Sequence, residues 1–264
     1  TFSPNIVLDK NDFLSPLQIQ KLNDRLKLFL NNHINSVLNP LVSIKSFIKN
    51  NEISIDNKNN QNDKKIRDTL KLSGNLKAIL FQLYENYGTV FRKNVTSQIN
   101  KLDETEKKYI ARLGIRIGTD TIYMPILLKP VAINLRLIMS CVENEKYFEN
   151  IMPKDGIVSF ESNINEIDSL WIFGGYRKIG TRVIRVDMLE RVSVLVRKEA
   201  KKGKFKITDE MLSLSGTTRD QMALILFELG FKKIGSEKID DTDKEPVLIF
   251  DRISKKQKST LTKA

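Results

Sequence analysis

The sequence is poor in the residues that most often carry chemistry. Its 264 residues include one cysteine, Cys141, and one histidine, His33. A lone cysteine forms no disulfide within the chain, and a reducing, cytoplasmic setting is the natural reading. These two residues also fall short of the roughly four ligands of a Cys/His zinc site. A catalytic triad has one candidate base. His33 lies beside Ile34 and Val37 in a stretch of helical period, and it reads as a structural histidine. No apolar run approaches the ~18 residues that would span a bilayer, so neither a membrane helix nor a membrane partner is expected. No GxxxxGK[ST] stretch occurs. The chain therefore has no cradle for a nucleoside triphosphate, needs no cofactor of its own and is not expected to hydrolyse ATP alone. Asp103-Glu104 and Asp209-Glu210 stand at helix starts, where capping and the helix dipole account for them. No residue is assigned as catalytic or metal-binding. The first residue is Thr1, not Met, and the chain reads as a fragment of something longer.

What is present is charge. Hydrophobic residues make up 41% and charged residues 29%, values of a globular chain, and the net charge is +12. Residues 1–102 carry +7, residues 103–180 carry −1 and residues 181–264 carry +6. Nucleic acid is the commonest partner of such a balance. Composition tempers this: Lys, Asn and Ile number 31, 22 and 30 against 6 Ala, the skew of an AT-rich genome, which inflates lysine everywhere.

The chain reads as mainly α within an α+β class, with short β-hairpins in a helical region and a winged-helix-like C-terminal module. Residues 1–48 form a lead-in and a helix over 15–38, opened by Ser15, Pro16 and Gln18 and ended by Asn39-Pro40. Residues 49–65 are polar and of low complexity, an insertion that buries nothing. Residues 66–180 hold a helix over 75–87, a helical stretch over 90–102, and a helix capped by Asp103 and Glu106 that closes at Gly114. A hairpin follows at 115–124, then a helix from Pro130 to about Cys141, irregular chain over 144–170, and a hairpin over 176–186 turning at Gly180.

Residues 181–252 follow winged-helix order: a helix capped by Asp187 and Glu190, a strand, two helices capped by Thr208 and by Thr218 with Gln221, then two strands. A basic tail over 253–264 closes the chain. In the third helix only Arg219 and Gln221 have the chemistry to reach bases, since Met222 to Phe227 is almost wholly apolar. The wing carries Glu237, Asp240, Asp241, Asp243 and Glu245, which phosphate repels. Sequence-specific groove reading is therefore not expected. The better basic candidates flank the hairpins: Arg116 and Lys129 at the first, Arg177, Arg182 and Arg185 at the second. Tyr123 and Tyr176 lie close to them in sequence, as stacking platforms for bases. These seven residues form the candidate contact for single-stranded RNA or DNA, weak and indifferent to sequence.

Residues 112–130, RLGIRIGTDTIYMPILLKP, with 174–192, GGYRKIGTRVIRVDMLERV, resemble the C-terminal region of the alphaproteobacterial helicase-related proteins. Those are similar to the mitochondrial RNA-degradosome helicase of the DExH superfamily. The G-x-R-x-G over 114–118 and the LLKP over 127–130 are the most specific part. The resemblance implies a parent bacterial enzyme with two RecA-like motor domains that use ATP and Mg²⁺ to move along nucleic acid. This chain, which has no Walker or DExH motif, would then be an accessory region that guides the strand or braces the motor. A protein-interaction module docking through helix 219–229 is the alternative.

Overall fold

The computed structural model describes residues 6–8, 14–56, 67–145, 152–162, 170–237 and 247–253. They form a mixed α and β structure with small antiparallel sheets, divided into two compact units.

The first unit comprises Thr1–Ile117, Ile122–Gly156 and Ile172–Gly175. Helix α1 (Pro16–Val37) opens on the expected capping box, with Ser15 and Gln18 each satisfying the other's backbone N–H. The helix ends at Val37, just ahead of Asn39-Pro40 as expected, but the dipeptide has a second role. It starts α2 (Asn39–Asn50), because a proline in the first turn gives up an N–H that has no helical partner anyway. Strands β1 (Glu52–Asp56) and β2 (Arg67–Lys71) then pair antiparallel, Glu52 opposite Lys71 and Asp56 opposite Arg67. This corrects the reading of residues 49–65 as an insertion that buries nothing. Ile53 is fully buried in the core, and its polar neighbours hide a strand whose inward positions fall at every second residue. Residues 57–66 lie outside the described residues.

Ser73 caps α3 (Gly74–Glu85). The stretch expected to be helical over 90–102 begins instead with β3 (Thr89–Phe91), ahead of α4 (Arg92–Ile99). Asp103 and Glu106 box-cap α5 (Glu104–Arg112) as expected. Strands β4 (Arg116–Ile117) and β5 (Thr121–Tyr123) pair antiparallel, and β5 lies between β3 and β4 in a three-stranded sheet. A 3₁₀ turn over Pro125–Leu128 leads into α6 (Pro130–Glu143). Leu38, Leu41, Ile44, Leu76, Ile79, Leu80 and Leu83 centre the core.

Arg136 on α6 is fully buried. It donates to the carbonyl oxygens of Tyr87 at 2.8 Å and Gly174 at 3.0 Å, to that of Leu127, and to Thr89 Oγ1 at 3.4 Å. A buried guanidinium costs free energy unless its N–H groups are met. Here they tie α6 to the turn before β3, the 3₁₀ turn and the Ile172–Gly175 segment. Gly175 has φ +80°, and a Cβ there would lie 2.4 Å from Leu128 Cδ2, so the Gly174-Gly175 pair is a packing device.

The second unit comprises Gly118–Thr121, Ile157–Trp171 and Tyr176–Ala264, so it begins earlier than the sequence boundary at 181 and takes in two short preceding segments. Strand β6 (Ser159–Glu161) falls inside the stretch read as irregular. It pairs with β8 (Arg182–Arg185), which pairs on its other side with β7 (Tyr176–Ile179), turning at Gly180 as expected. Helix α7 (Val186–Glu199) follows. Then come β9 (Phe205–Lys206), α8 (Asp209–Ser215), α9 (Arg219–Glu228), β10 (Phe231–Glu237) and β11 (Val247–Arg252), with β11 between β10 and β9. Val192, Val196, Met211, Met222, Ile225, Leu226 and Phe250 fill the core, where Phe205 meets Phe231 edge-on at 5.3 Å. The acidic residues 240–245 and the lysines of the tail lie outside the described residues.

Candidate nucleic-acid interface

The seven hairpin residues do not form one exposed surface. Arg116, Tyr123 and Lys129 belong to the first unit, and Tyr176, Arg177, Arg182 and Arg185 to the second. Arg116 on β4 and Lys129, which precedes α6, are exposed. Neither tyrosine offers a face to a base. Tyr123 is 6% exposed and Tyr176 is 1% exposed. Tyr176 packs against Phe160 and Trp171, and its hydroxyl donates to the Ile157 carbonyl at 2.7 Å. The stacking role expected of both is corrected: they sit at inward strand positions and are spent on the cores.

The three arginines of the second hairpin are committed inside their unit. Arg177 pairs with Glu228 at 3.0 Å. Arg182 donates to Ser159 Oγ at 2.8 Å and to the Gly216 carbonyl, with Glu161 at 3.7 Å. Arg185 grips Asp187 through two nitrogens at 2.7 and 3.0 Å, and this hydrogen-bonded pairing raises its pKa further despite burial. Their side chains are only 17–18% exposed.

The acidic pair read as a cap for α7 does other work. Arg185, not Asp187, is the residue before the helix, and no side chain caps it. Glu190 instead accepts three backbone N–H groups, from Thr119 at 2.6 Å, Asp120 at 3.0 Å and Thr121 at 2.6 Å. Gly118 is the residue that allows this approach, since a Cβ there would lie 2.4 Å from the Glu190 carboxyl carbon. Asp120 receives Ser193 Oγ at 2.6 Å and Arg197 at 3.0 and 3.1 Å. Burial pushes the Asp120 carboxyl up, but Ser193, Arg197 and Thr119 outweigh it and hold the group below its ordinary value.

Helix α9 also spends its polar groups internally. Gln221 Nε2 donates to Glu161 at 2.8 Å, and Arg219 donates to Asp209 at 3.1 Å. Met222 and Leu226 are fully buried, whereas Leu224 and Phe227 are 53% and 50% exposed. The remaining single residues with reactive chemistry are equally settled. Burial raises the Cys141 thiol, and His33 is exposed on α1, stacked on Phe29 at 6.2 Å, not packed in a core.

Exposed positive charge gathers where the sequence reading did not look. Residues 197–206, RKEAKKGKFK, hold six basic residues against Glu199 alone. Lys198, Lys201, Lys202 and Lys204 are exposed along the end of α7 and the turn into β9. Lys202 meets Glu199 at 2.7 Å, a surface pair of i,i+3 spacing that contributes little. Phe205 and Phe250 face the core as cross-strand partners, so Lys206 and Ile249 take the outer face of that sheet. Phe231 likewise faces inward and leaves Lys232, opposite Asp251, on the same outer face as Lys206. Charge density over a ten-residue window was the signal that finds this segment.

No family model matches the chain, and no curated protein or solved structure matches it either. Among the described residues no group of three His, Cys, Asp or Glu is placed to hold a metal ion, and no helix is long and apolar enough to cross a membrane.

Proposed function

We propose that this chain is an accessory, non-motor region of an ATP-dependent RNA or DNA helicase, and that its second unit holds the strand as a winged-helix-like module. One observation carries the reading: four exposed lysines within a ten-residue segment of net charge +5, on a helix–strand turn of that unit. Phosphates are attracted to such a surface whatever the base sequence. The element order α7, β9, α8, α9, β10, β11, with a three-stranded antiparallel sheet, supports the winged-helix part. In a module of that kind α9 would be the recognition helix. Its Gln221 and Arg219 are tied to Glu161 and Asp209, which favours backbone holding over groove reading. ATP and Mg²⁺ would act in RecA-like motor domains, whose motifs are not in this sequence.

Fluorescence anisotropy with labelled RNA and DNA oligomers over a salt series tests this reading. Binding should be at micromolar dissociation constants or weaker at physiological salt, alike for all sequences and steeply salt-dependent. Full affinity for oligomers in a variant with Lys198, Lys201 and Lys204 changed to Glu would overturn it. The second reading, a protein-docking module, rests on the half-exposed Leu224 and Phe227 of α9. It predicts partner capture that Phe227→Ser abolishes and the lysine variant leaves intact.

A further inference from the structure

The first unit contains a cavity of about 320 Å³. Its lining combines α2, β1, the end of α5 and the residue after β5. We propose that it is a nucleotide site, taking one nucleobase with its phosphate at Arg112. This rests on the reading of the protein as a nucleic-acid binder and adds a second, chemically distinct point of contact.

The lining selects the ligand class. Phe47, Ile44 and Met124 give an apolar surface suited to the face of a flat ring, and Phe47 is only partly buried. Asn39, Ser43 and Ser54 supply neutral donors and acceptors, the chemistry that meets the edge of a base. Ser43 Oγ already donates to Asn39 Oδ1 at 3.4 Å, which orients that amide. Among the described lining residues Arg112 alone brings a formal charge, and its guanidinium lies 5.3 Å from the Tyr109 ring centroid, which steadies it. Among the described residues that line the cavity, none is acidic. An amino acid or a polyamine would leave its ammonium unpaired there, whereas an anion with a neutral polar ring meets every group. The volume lies at the small end of ligand sites, which run from ~300 to ~1,000 Å³, and this limits the occupant to about one nucleotide.

The nucleotide is either free or one unit of a strand, and the test separates the two. Isothermal titration of the full chain with uridine and adenosine 5′-monophosphate is run beside anisotropy with labelled oligomers. The variants are Arg112→Gln, which removes the charge of an exposed side chain and leaves a shorter polar one, and Ser54→Leu, which fills the cavity from an exposed strand position. The monophosphates should bind the parent chain. Arg112→Gln should weaken them about tenfold or more, as expected for loss of a charged hydrogen bond. Uridine without phosphate should bind both chains alike, and Ser54→Leu should lose all three ligands. If oligomer affinity falls in the same two variants, the occupant is a unit of a strand. If it does not, the occupant is a free nucleotide. Monophosphates that fail to bind the parent, while oligomers bind and depend on the lysines, overturn this site and leave the strand-holding reading standing. Monophosphate binding without oligomer binding keeps the site and removes that reading.

Discussion

The β7–β8 hairpin and the α7–β9 turn carry the same sign of charge at similar density and use it in opposite ways. Arg177, Arg182 and Arg185 lie on strands within reach of Glu228, Glu161, Asp187 and the Gly216 carbonyl, and all are held. Lys198, Lys201 and Lys204 lie on a helix end and turn and stay exposed. A guanidinium offers five donors in a fixed fork, so it is readily captured by carboxylates and carbonyls of its own fold. An ammonium on a long flexible stem keeps its charge in water. The lesson is that residue type and local element, not charge alone, decide which basic residues are left for a partner.

The largest effect should come from the most committed group. Glu190→Ala strands three N–H groups, one of them fully buried, and should cost about 2–4 kcal/mol of stability in chemical denaturation. Glu190→Gln keeps an acceptor and should cost clearly less. Oligomer binding at a temperature where the variant is folded should be unchanged. A loss of binding there would put Glu190 on the strand path.

Changing Lys198, Lys201 and Lys204 to Ala should do the reverse. The log–log salt slope for single strands should flatten by about 2, since each phosphate contact contributes roughly 0.7. Stability should move by less than about 0.5 kcal/mol, as for surface substitutions generally. If the slope is unmoved, exposure of these lysines has no bearing on binding and the comparison fails.

Arg182→Ala should cost about 1–3 kcal/mol by leaving the Ser159 and Gly216 acceptors unmet, again with the salt slope unchanged. A flattened slope with intact stability would show that Arg182 exchanges its internal partners for phosphate.

The smallest effect concerns pH. The Asp120 carboxyl is held below its ordinary value of 3.8, so its contribution to stability is present in full above that value. It should fade only as the pH drops through the lower folded value. Thermal melts from neutral to acid pH should show an acid-side loss that Asp120→Asn removes. A loss centred near neutrality would point to a different group.

Much of the helical frame was legible. Ser15 with Gln18, Asp103 with Glu106, and Thr218 with Gln221 each form the capping box their spacing announced. Both expected hairpins form, the first within 115–124 and the second turning at Gly180. The failures share a cause. Asp187 and Glu190 have capping-box spacing before an apolar run, yet Glu190 satisfies residues 119–121, about seventy positions away in sequence. Ile53 sits among Asn, Glu and Ser, and one inward strand position leaves no mark on composition. Tyr123 and Tyr176 have basic residues close by in sequence, and Arg116 and Arg185 are even their cross-strand partners, yet both rings are buried by packing that nothing local announces.

The sequence by itself determined most of the helices, the capping boxes at Ser15, Asp103 and Thr218, the turns at Gly114 and Gly180, and the excess of positive charge, because each depends on composition or on residues within a few positions of one another. Only the tertiary structure decided which charges are available. Whether an arginine meets a carboxylate, whether a glutamate caps its own helix or a distant loop, and whether a tyrosine faces solvent all depend on partners brought together by packing. A carboxylate draws far more from three N–H groups, two of them partly buried and one fully buried, than from one exposed cap, so the distant interaction prevails where the two compete.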